Sequence, residues 1–309
     1  MSLAPIVLFT YNRPWHTRQT VEALRKNFLA AESELFIFSD GPRNEEARGR
    51  VDEVRQYLKT IAGFKRIQIR EGKENRGLAK SIIAGVTEIV KEYGRVIVLE
   101  DDLETSPYFL KYMNEGLDLY EQDHRVISVL GHVFPVKASL PETFFIRGAS
   151  CWGWATWKRG WDLFEENGEV LLKRLMNQRL TRDFDRNGAY PYIDMLKAQI
   201  AGKNQSWAVR WHASAFLNNK LTLYPGRSLV CNIGNDGSGQ HCPVNRDRDV
   251  QLTQSPIILK EIEVIEHRGA RKAFDALFRT WKGSFAVQFK GRVKAVFKRC
   301  LEQCVGTVQ

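Results

Sequence analysis

No apolar run in this 309-residue chain approaches the roughly 20 residues needed to cross a bilayer. Its first residues also lack the charged-then-apolar pattern of a signal peptide. Cysteine is scarce: Cys151, Cys231, Cys242, Cys300 and Cys304 are five, an odd number with no metal-type clustering. That usage reads as a reducing, cytoplasmic setting, although Cys231 and Cys242 bracket one loop and could pair. Internal repeats and low-complexity linkers are missing too, so the chain is no solenoid. Acid is nearly absent from the end: Asp275 alone faces ten Lys or Arg between Arg268 and Arg299. The tail therefore carries nearly all of the net +10. The near-neutral body argues against a nucleic-acid-binding surface.

What is present fits a globular protein with a large core, at 43% hydrophobic and 27% charged residues. Ile6 to Thr10 reads as a buried strand, Pro14 to Asn27 as a helix, and Leu35 to Ser39 as a second strand ending in the turn Asp40-Gly41-Pro42. Asn44 to Ile61 has helical spacing, Ile67 to Arg70 is a short strand, Gly77 to Tyr93 a helix and Val96 to Leu99 a buried strand. This βαβαβαβ order implies an α/β fold, a mostly parallel sheet with helices on both faces. Ligands of such sheets bind beyond the carboxyl ends of the strands, where Thr10, Asp40 and Asp101 all fall.

Later elements are more mixed. Val126 to Leu130 and Phe144 to Ile146 look like strands, followed by an aromatic segment with Trp152, Trp154, Trp157 and Trp161. A helical stretch runs to about Ala201, then come strands at Leu221 to Tyr224 and Leu229 to Ile233, and a Gly-rich loop from Gly234 to Gly239. From Phe274 to Leu301 apolar residues recur at three- and four-residue steps with a basic opposite face. Such a helix lies on an anionic membrane or docks on its own domain.

The strand at Val96 to Leu99 runs straight into Glu100, Asp101 and Asp102. Three adjacent acids at the end of a buried strand repel one another and are costly to desolvate unless a cation neutralises them. They make either an ordinary solvated turn or a site for a hard divalent ion, Mg²⁺ or Mn²⁺, that leaves room for phosphate oxygens. Thr10-Tyr11-Asn12-Arg13-Pro14 opens a helix, where backbone N–H groups and a fixed positive charge suit an anion. Asp40 can accept from a ribose or a base, or is a turn residue. Asn75, Arg76 and Lys80 form another polar loop entering a helix, facing phosphate or solvent.

Together these residues resemble a glycosyltransferase of the GT-A fold, close to the N-acetylglucosaminyltransferase I type and bacterial family-2-like sugar transferases. The resemblance rests on Glu100 to Glu104 followed by Pro107, Tyr108 and Phe109, on Gly153-Trp154 with Trp161 seven residues on, and on Thr10 to Arg13. It implies that Thr10, Asn12, Arg13, Asp40, Asn75, Arg76, Lys80 and Asp101 bind the nucleotide-sugar, and that Asp102 ligates Mn²⁺ or Mg²⁺ with a late His, best matched by His241. Gly153, Trp154, Trp207 and Arg210 would line the acceptor or sugar pocket. The implied domains are a catalytic unit over 4–250, its nucleotide-sugar half at 4–120 and acceptor half at 121–250, and a basic amphipathic segment over 251–309.

One departure from the pattern stands out. Where the family places an Asp-Trp catalytic segment, this chain has Ser206-Trp207. An inverting transferase needs a carboxylate to deprotonate the acceptor hydroxyl, and Asp194 and Asp236 are the candidates; a retaining mechanism needs none. The expected activity is transfer from a nucleotide-sugar, UDP-linked by resemblance, to a surface polysaccharide or lipid-linked glycan at the inner membrane face. The alternatives are a nucleotidyltransferase, whose Gly-rich loop Thr10 to Pro14 lacks, and an inactive glycan-binding module.

Overall fold

The computed structural model describes residues 3–236 and 250–281. His241, Cys242, Cys300, Cys304, the end of the Gly-rich loop and the tail beyond Trp281 lie outside the described residues. The strands among the described residues are β1 (Ile6–Thr10), β2 (Glu34–Ser39), β3 (Arg66–Glu71), β4 (Arg95–Glu100), β5 (Leu103–Thr105), β6 (Val126–Leu130), β7 (Thr143–Arg147), β8 (Trp154–Trp157), β9 (Leu221–Pro225) and β10 (Val230–Asn232). The helices are α1 (Pro14–Arg25), α2 (Glu45–Leu58), α3 (Leu78–Tyr93), α4 (Phe109–Leu119), α5 (Lys158–Trp161), α6 (Gly168–Asn177), α7 (Thr181–Phe184), α8 (Tyr192–Ile200) and α9 (Trp207–Leu217). A last helix is described over 268–281.

Eight strands form one sheet in the order β3-β2-β1-β4-β8-β6-β9-β7, and β5 pairs with β10 as a separate ribbon. The first four are parallel, as the βαβ order dictates. From β8 onward the sheet is mixed: β8 runs antiparallel to β4 and β6, and β7 antiparallel to β9. Strand residues alternate between two cores. Ile6, Leu8, Ile97 and Leu99 pack with Val21 and Leu24 of α1, while Val7, Phe9, Val96 and Val98 pack with Ile82, Val86 and Ile89 of α3. That alternation is the period-2 geometry of a strand covered on both faces.

Local chemistry fixes the helix ends that matter to the site. Pro14 stands at the start of α1, where its fixed φ suits the first turn and its missing N–H has no partner to lose. Asn44 caps α2 by accepting from the Ala47 N–H. Ser206 caps α9 by accepting from the Val209 N–H at 3.2 Å.

The segment after 250 packs back on the body. Ile257 and Val264 join the first core, and Ala270, Phe274, Phe278 and Trp281 join the second. The His267 N–H donates to the Phe145 carbonyl at 2.8 Å beside a parallel bridge from Glu266 to Phe145, so the segment covers the free edge of β7. Asp275 accepts from Arg186 Nε at 2.6 Å in an ion pair buried on both sides. Over 268–281 the aromatic stripe expected to meet either a membrane or the domain thus faces the domain, while Arg268, Lys272 and Arg279 are exposed.

Candidate active site

In the parallel half, Thr10 is in register with Ser39 and Phe9 with Glu100. The residues that follow β1, β2 and β4 therefore emerge together at one sheet edge, and this is what brings Arg13, Asp40 and Asp101 near one another. The β5–β10 ribbon adds a fourth strand of chain. Asn232 pairs with Leu103, and the Ile233 N–H donates to the Asp102 carbonyl at 2.8 Å, which lays residues 233–236 over the acids.

Arg13 is the centre of this edge. Its guanidinium Nη2 donates to Asp101 Oδ1 and, at 2.9 Å, to Asp102 Oδ2. The cation that three adjacent acids demand is thus, in part, supplied by the chain itself. Burial opposes the charge on Arg13, but Asp101 and Asp102 outweigh it and raise its pKa. Burial likewise pushes the Asp101 carboxyl upward, partly offset by Arg13. Glu100 is pushed up to about 8 by burial, then by repulsion from Asp102 and Asp101. The Thr20 hydroxyl donates to the Asp101 carbonyl at 2.9 Å and fixes the backbone behind the pair.

The donor set fits a hard divalent ion in chemistry, since Asp101 and Asp102 offer carboxylate oxygens. No cluster of three His, Cys, Asp or Glu suited to a metal occurs among the described residues. An ion at Asp102 would share that carboxylate with Arg13.

Asp40 is used differently from a free ribose acceptor. Its carboxylate accepts from the backbone N–H groups of Gly41 at 2.9 Å, Arg76 at 2.9 Å and Gly77 at 2.9 Å. It thereby shapes the loop entering α3, helped by Asn75 Nδ2, which donates to the Gly41 carbonyl at 2.9 Å. The Arg76 side chain is exposed on this loop and that of Lys80 in the first turn of α3, and Asn12 is half-buried beside Arg13. Thr10 is buried, and its hydroxyl has no hydrogen-bond partner among the described residues.

The aromatic pocket expected at Gly153-Trp154 is corrected by the structure. Trp154 is fully buried, its ring 5.5 Å from Trp207 and Trp211 and 5.7 Å from Trp161. A sugar cannot reach an indole enclosed by three others, so Trp154 and Trp207 belong to the core. Gly153 serves that packing: its φ is +64°, and a β-carbon there would stand 2.6 Å from Val230 Cγ2. Arg210 is buried as well, donating to the carbonyls of Glu166 at 2.9 Å and Ser206 at 3.3 Å. Of the four tryptophans between 151 and 161, only Trp152 is partly exposed, edge-on to His132 at 4.7 Å.

The two base candidates part company. Asp194 is exposed on α8, a helix packed on α6 and α9 in a third apolar cluster. Asp236 lies in the loop laid over the acids, with Oδ2 3.0 Å from His16 Nε2. Sequence reasoning passed over His16, because 220 positions separate it from its partner. The one available signal was its place in the first turn of α1, two residues after Pro14.

Residues 6–139 match the profile described as Glycosyl transferase family 2. The match spans β1 to β6, so the resemblance to GT-A sugar transferases holds for the part that carries Arg13, Asp40 and the acids. No curated protein matches the chain. Among solved structures, a mannosyltransferase from Pyrobaculum calidifontis in complex with GDP-Man and Mn²⁺ is similar at 14% identity and a TM-score of 0.31, over 41% of this chain and 37% of that one. TarS of S. aureus is similar at 15% identity and 0.33, over 49% of this chain and 28% of that one. Mouse xyloside xylosyltransferase 1, in its apo form, is similar at 14% and 0.28, over 42% and 53%. These likenesses are distant, and this chain spans well under half of the first two.

Proposed function

We propose that the chain is a glycosyltransferase that moves a sugar from a nucleotide-sugar, UDP-linked, to a hydroxyl of a surface polysaccharide or lipid-linked glycan. The observation that carries this reading is the Arg13 guanidinium bridging Asp101 and Asp102 at the carboxyl edge of the parallel strands. Paired acids with a fixed cation at such an edge suit a diphosphate and the ion that accompanies it. The family match over residues 6–139 supports the same chemistry. When bound, Mn²⁺ or Mg²⁺ on Asp102 supplies charge neutralisation for the departing diphosphate. Arg13 orients the two carboxylates, and the Asp40-bound loop presents Asn75, Arg76 and Lys80 toward the nucleotide.

For the acceptor side, the exposed Arg268, Lys272 and Arg279 on the helix over 268–281 favour an anionic lipid surface, consistent with a lipid-linked glycan at the cytoplasmic face. No helix among the described residues is long and apolar enough to cross a membrane. The test is calorimetric titration of UDP and of UDP-sugars with and without Mn²⁺. Binding that requires Mn²⁺ and is abolished in Asp102→Ala is expected. Unchanged UDP affinity in that variant would sink the assignment.

A further inference from the structure

The pairing of His16 with Asp236 joins the start of α1 to the last described residue of the loop after β10. The His16 side chain is 8% exposed and the Asp236 side chain 46%. The imidazole is therefore the fixed member and the carboxylate the one that meets solvent. Trp15 stands edge-on to the imidazole at 4.9 Å and shields it. On the other side, the loop is anchored by the Ile233 N–H on the Asp102 carbonyl at 2.8 Å and by the Gly234 N–H on Asn232 Oδ1 at 2.9 Å. Gly234 itself touches the Asp102 carboxylate. Two residues of chain reach at most about 7 Å, so the backbone of Asp236 is held within about that distance of Gly234, beside the proposed diphosphate site.

We propose that His16 is the positioning residue of Asp236, and that Asp236 is the general base toward the acceptor hydroxyl. The inference rests on the glycosyltransferase reading above. In the step, the acceptor oxygen forms a bond to the anomeric carbon while the bond from that carbon to the diphosphate oxygen breaks. The electron pair leaves on the diphosphate, and the acceptor proton passes to the Asp236 carboxylate and then to water. Nε2 of His16 lies 3.0 Å from Oδ2, and in the tautomer that carries its proton there it donates to the carboxylate and aims it. A buried imidazole cannot reach an incoming sugar, whereas the exposed carboxylate can. This also accounts for Ser206: the position expected to hold a catalytic carboxylate is a helix cap, and the carboxylate comes from another loop.

The test uses the full chain with Mn²⁺, UDP for binding, and UDP-glucose and UDP-N-acetylglucosamine as donors with p-nitrophenyl glycosides as acceptors. Positioned general bases contribute about 10²–10⁴-fold. Asp236→Asn should therefore lose at least about 100-fold in kcat with UDP affinity unchanged. His16→Ala should lower kcat with donor KM unchanged, and the double variant should lose no more than Asp236→Asn alone, because the two act as a unit. His16→Gln, whose amide nitrogen can replace Nε2, should recover most of the loss. It also carries the test if His16→Ala does not fold. The product should have inverted anomeric configuration.

Full kcat in Asp236→Asn, additive losses in the double variant, no recovery by His16→Gln, or a retained configuration would each overturn the proposal. Failure of the unaltered chain to bind UDP with Mn²⁺ would instead strike the donor reading, and this inference with it.

Discussion

Gly234 packs directly against the carboxylate of Asp102: a β-carbon at 234 would overlap Asp102 Oδ2 and stand 3.0 Å from Arg13 Nη1. The loop that brings Asp236 to the cleft thus reaches it by backbone contact with the acids. The acids after β4 and the loop that carries Asp236 are consequently mechanically joined. Anything that lifts the loop also frees one face of Asp102, and anything that moves Asp102 disturbs the loop.

Gly234→Ala should accordingly be harmful out of proportion to its size. The added methyl must displace the Asp102 carboxylate or the loop, and overpacking of this kind costs about 1–3 kcal/mol. A melting-temperature drop together with at least tenfold weaker UDP affinity with Mn²⁺ is expected. A variant that keeps native affinity would show that the loop and Asp102 move independently.

Arg13→Ala tests the built-in cation. Asp101 is 5% exposed and would lose the partner that compensates its charge. Breaking one side of a buried pair costs about 3–5 kcal/mol, and the partial exposure of Arg13 places the expectation at the lower end. Arg13→Lys keeps the charge but loses the planar fork that spans two carboxylates, so it should fall between. Urea unfolding of the three proteins at neutral pH gives the order.

His212 supplies a pH dependence. Burial pushes it down to about 3 from 6.5, and the nearby Arg186, Arg271 and Arg147 add to the fall. A His depressed in the folded state binds a proton more readily when unfolded, so stability is full above about 6.5 and falls as pH drops toward the folded value. Between pH 7 and 5 that amounts to about 2 kcal/mol. The ring is stacked on Tyr192 at 4.4 Å and its Nδ1 lies 2.9 Å from the Ala149 carbonyl. His212→Gln should be less stable at pH 7 and show a flatter profile in thermal melts across this range.

Much of the fold was legible because the parallel half obeys simple periods. Strands β1, β2 and β4 are runs of apolar residues covered on both faces, and α1 to α3 repeat their buried residues at helical steps. Strand β8 was hidden because Trp154 to Trp157 is buried at every position and shows no alternation. Helix α9 was hidden for a related reason: nearly every residue from Trp207 to Leu217 is buried, so no polar face marks it. Ser206-Trp207, which falls where the resemblance places a catalytic carboxylate, is a cap and a core residue.

The site divides along the same line. Asp101 and Asp102 were visible because three adjacent acids after a buried strand are electrostatically costly. That Arg13 neutralises them, that Asp40 holds a loop by backbone N–H groups, and that His16 meets Asp236 all depend on register between distant strands. Local sequence carries no trace of those distances.

The C-terminal segment yields the last prediction. By composition it begins at 251, yet the packing crosses that boundary. Ending the chain at 250 would remove Ile257, Val264, Phe274, Phe278 and Trp281 from the core and leave Arg186 without Asp275. Loss of one buried aromatic costs about 3–5 kcal/mol, against a total stability of about 5–15 kcal/mol for an ordinary domain. That truncation should give no cooperative unfolding transition. Ending the chain after Trp281 keeps all of these residues and should melt within a few degrees of the full chain. It also removes six of the ten bases between Arg268 and Arg299. Each base near an anionic surface contributes about 1 kcal/mol of attraction, so co-sedimentation with phosphatidylserine vesicles should fall sharply while UDP binding persists. Equal vesicle binding by the full and the shortened chain would place the membrane contact on the exposed Arg268, Lys272 and Arg279 or rule it out of the tail altogether.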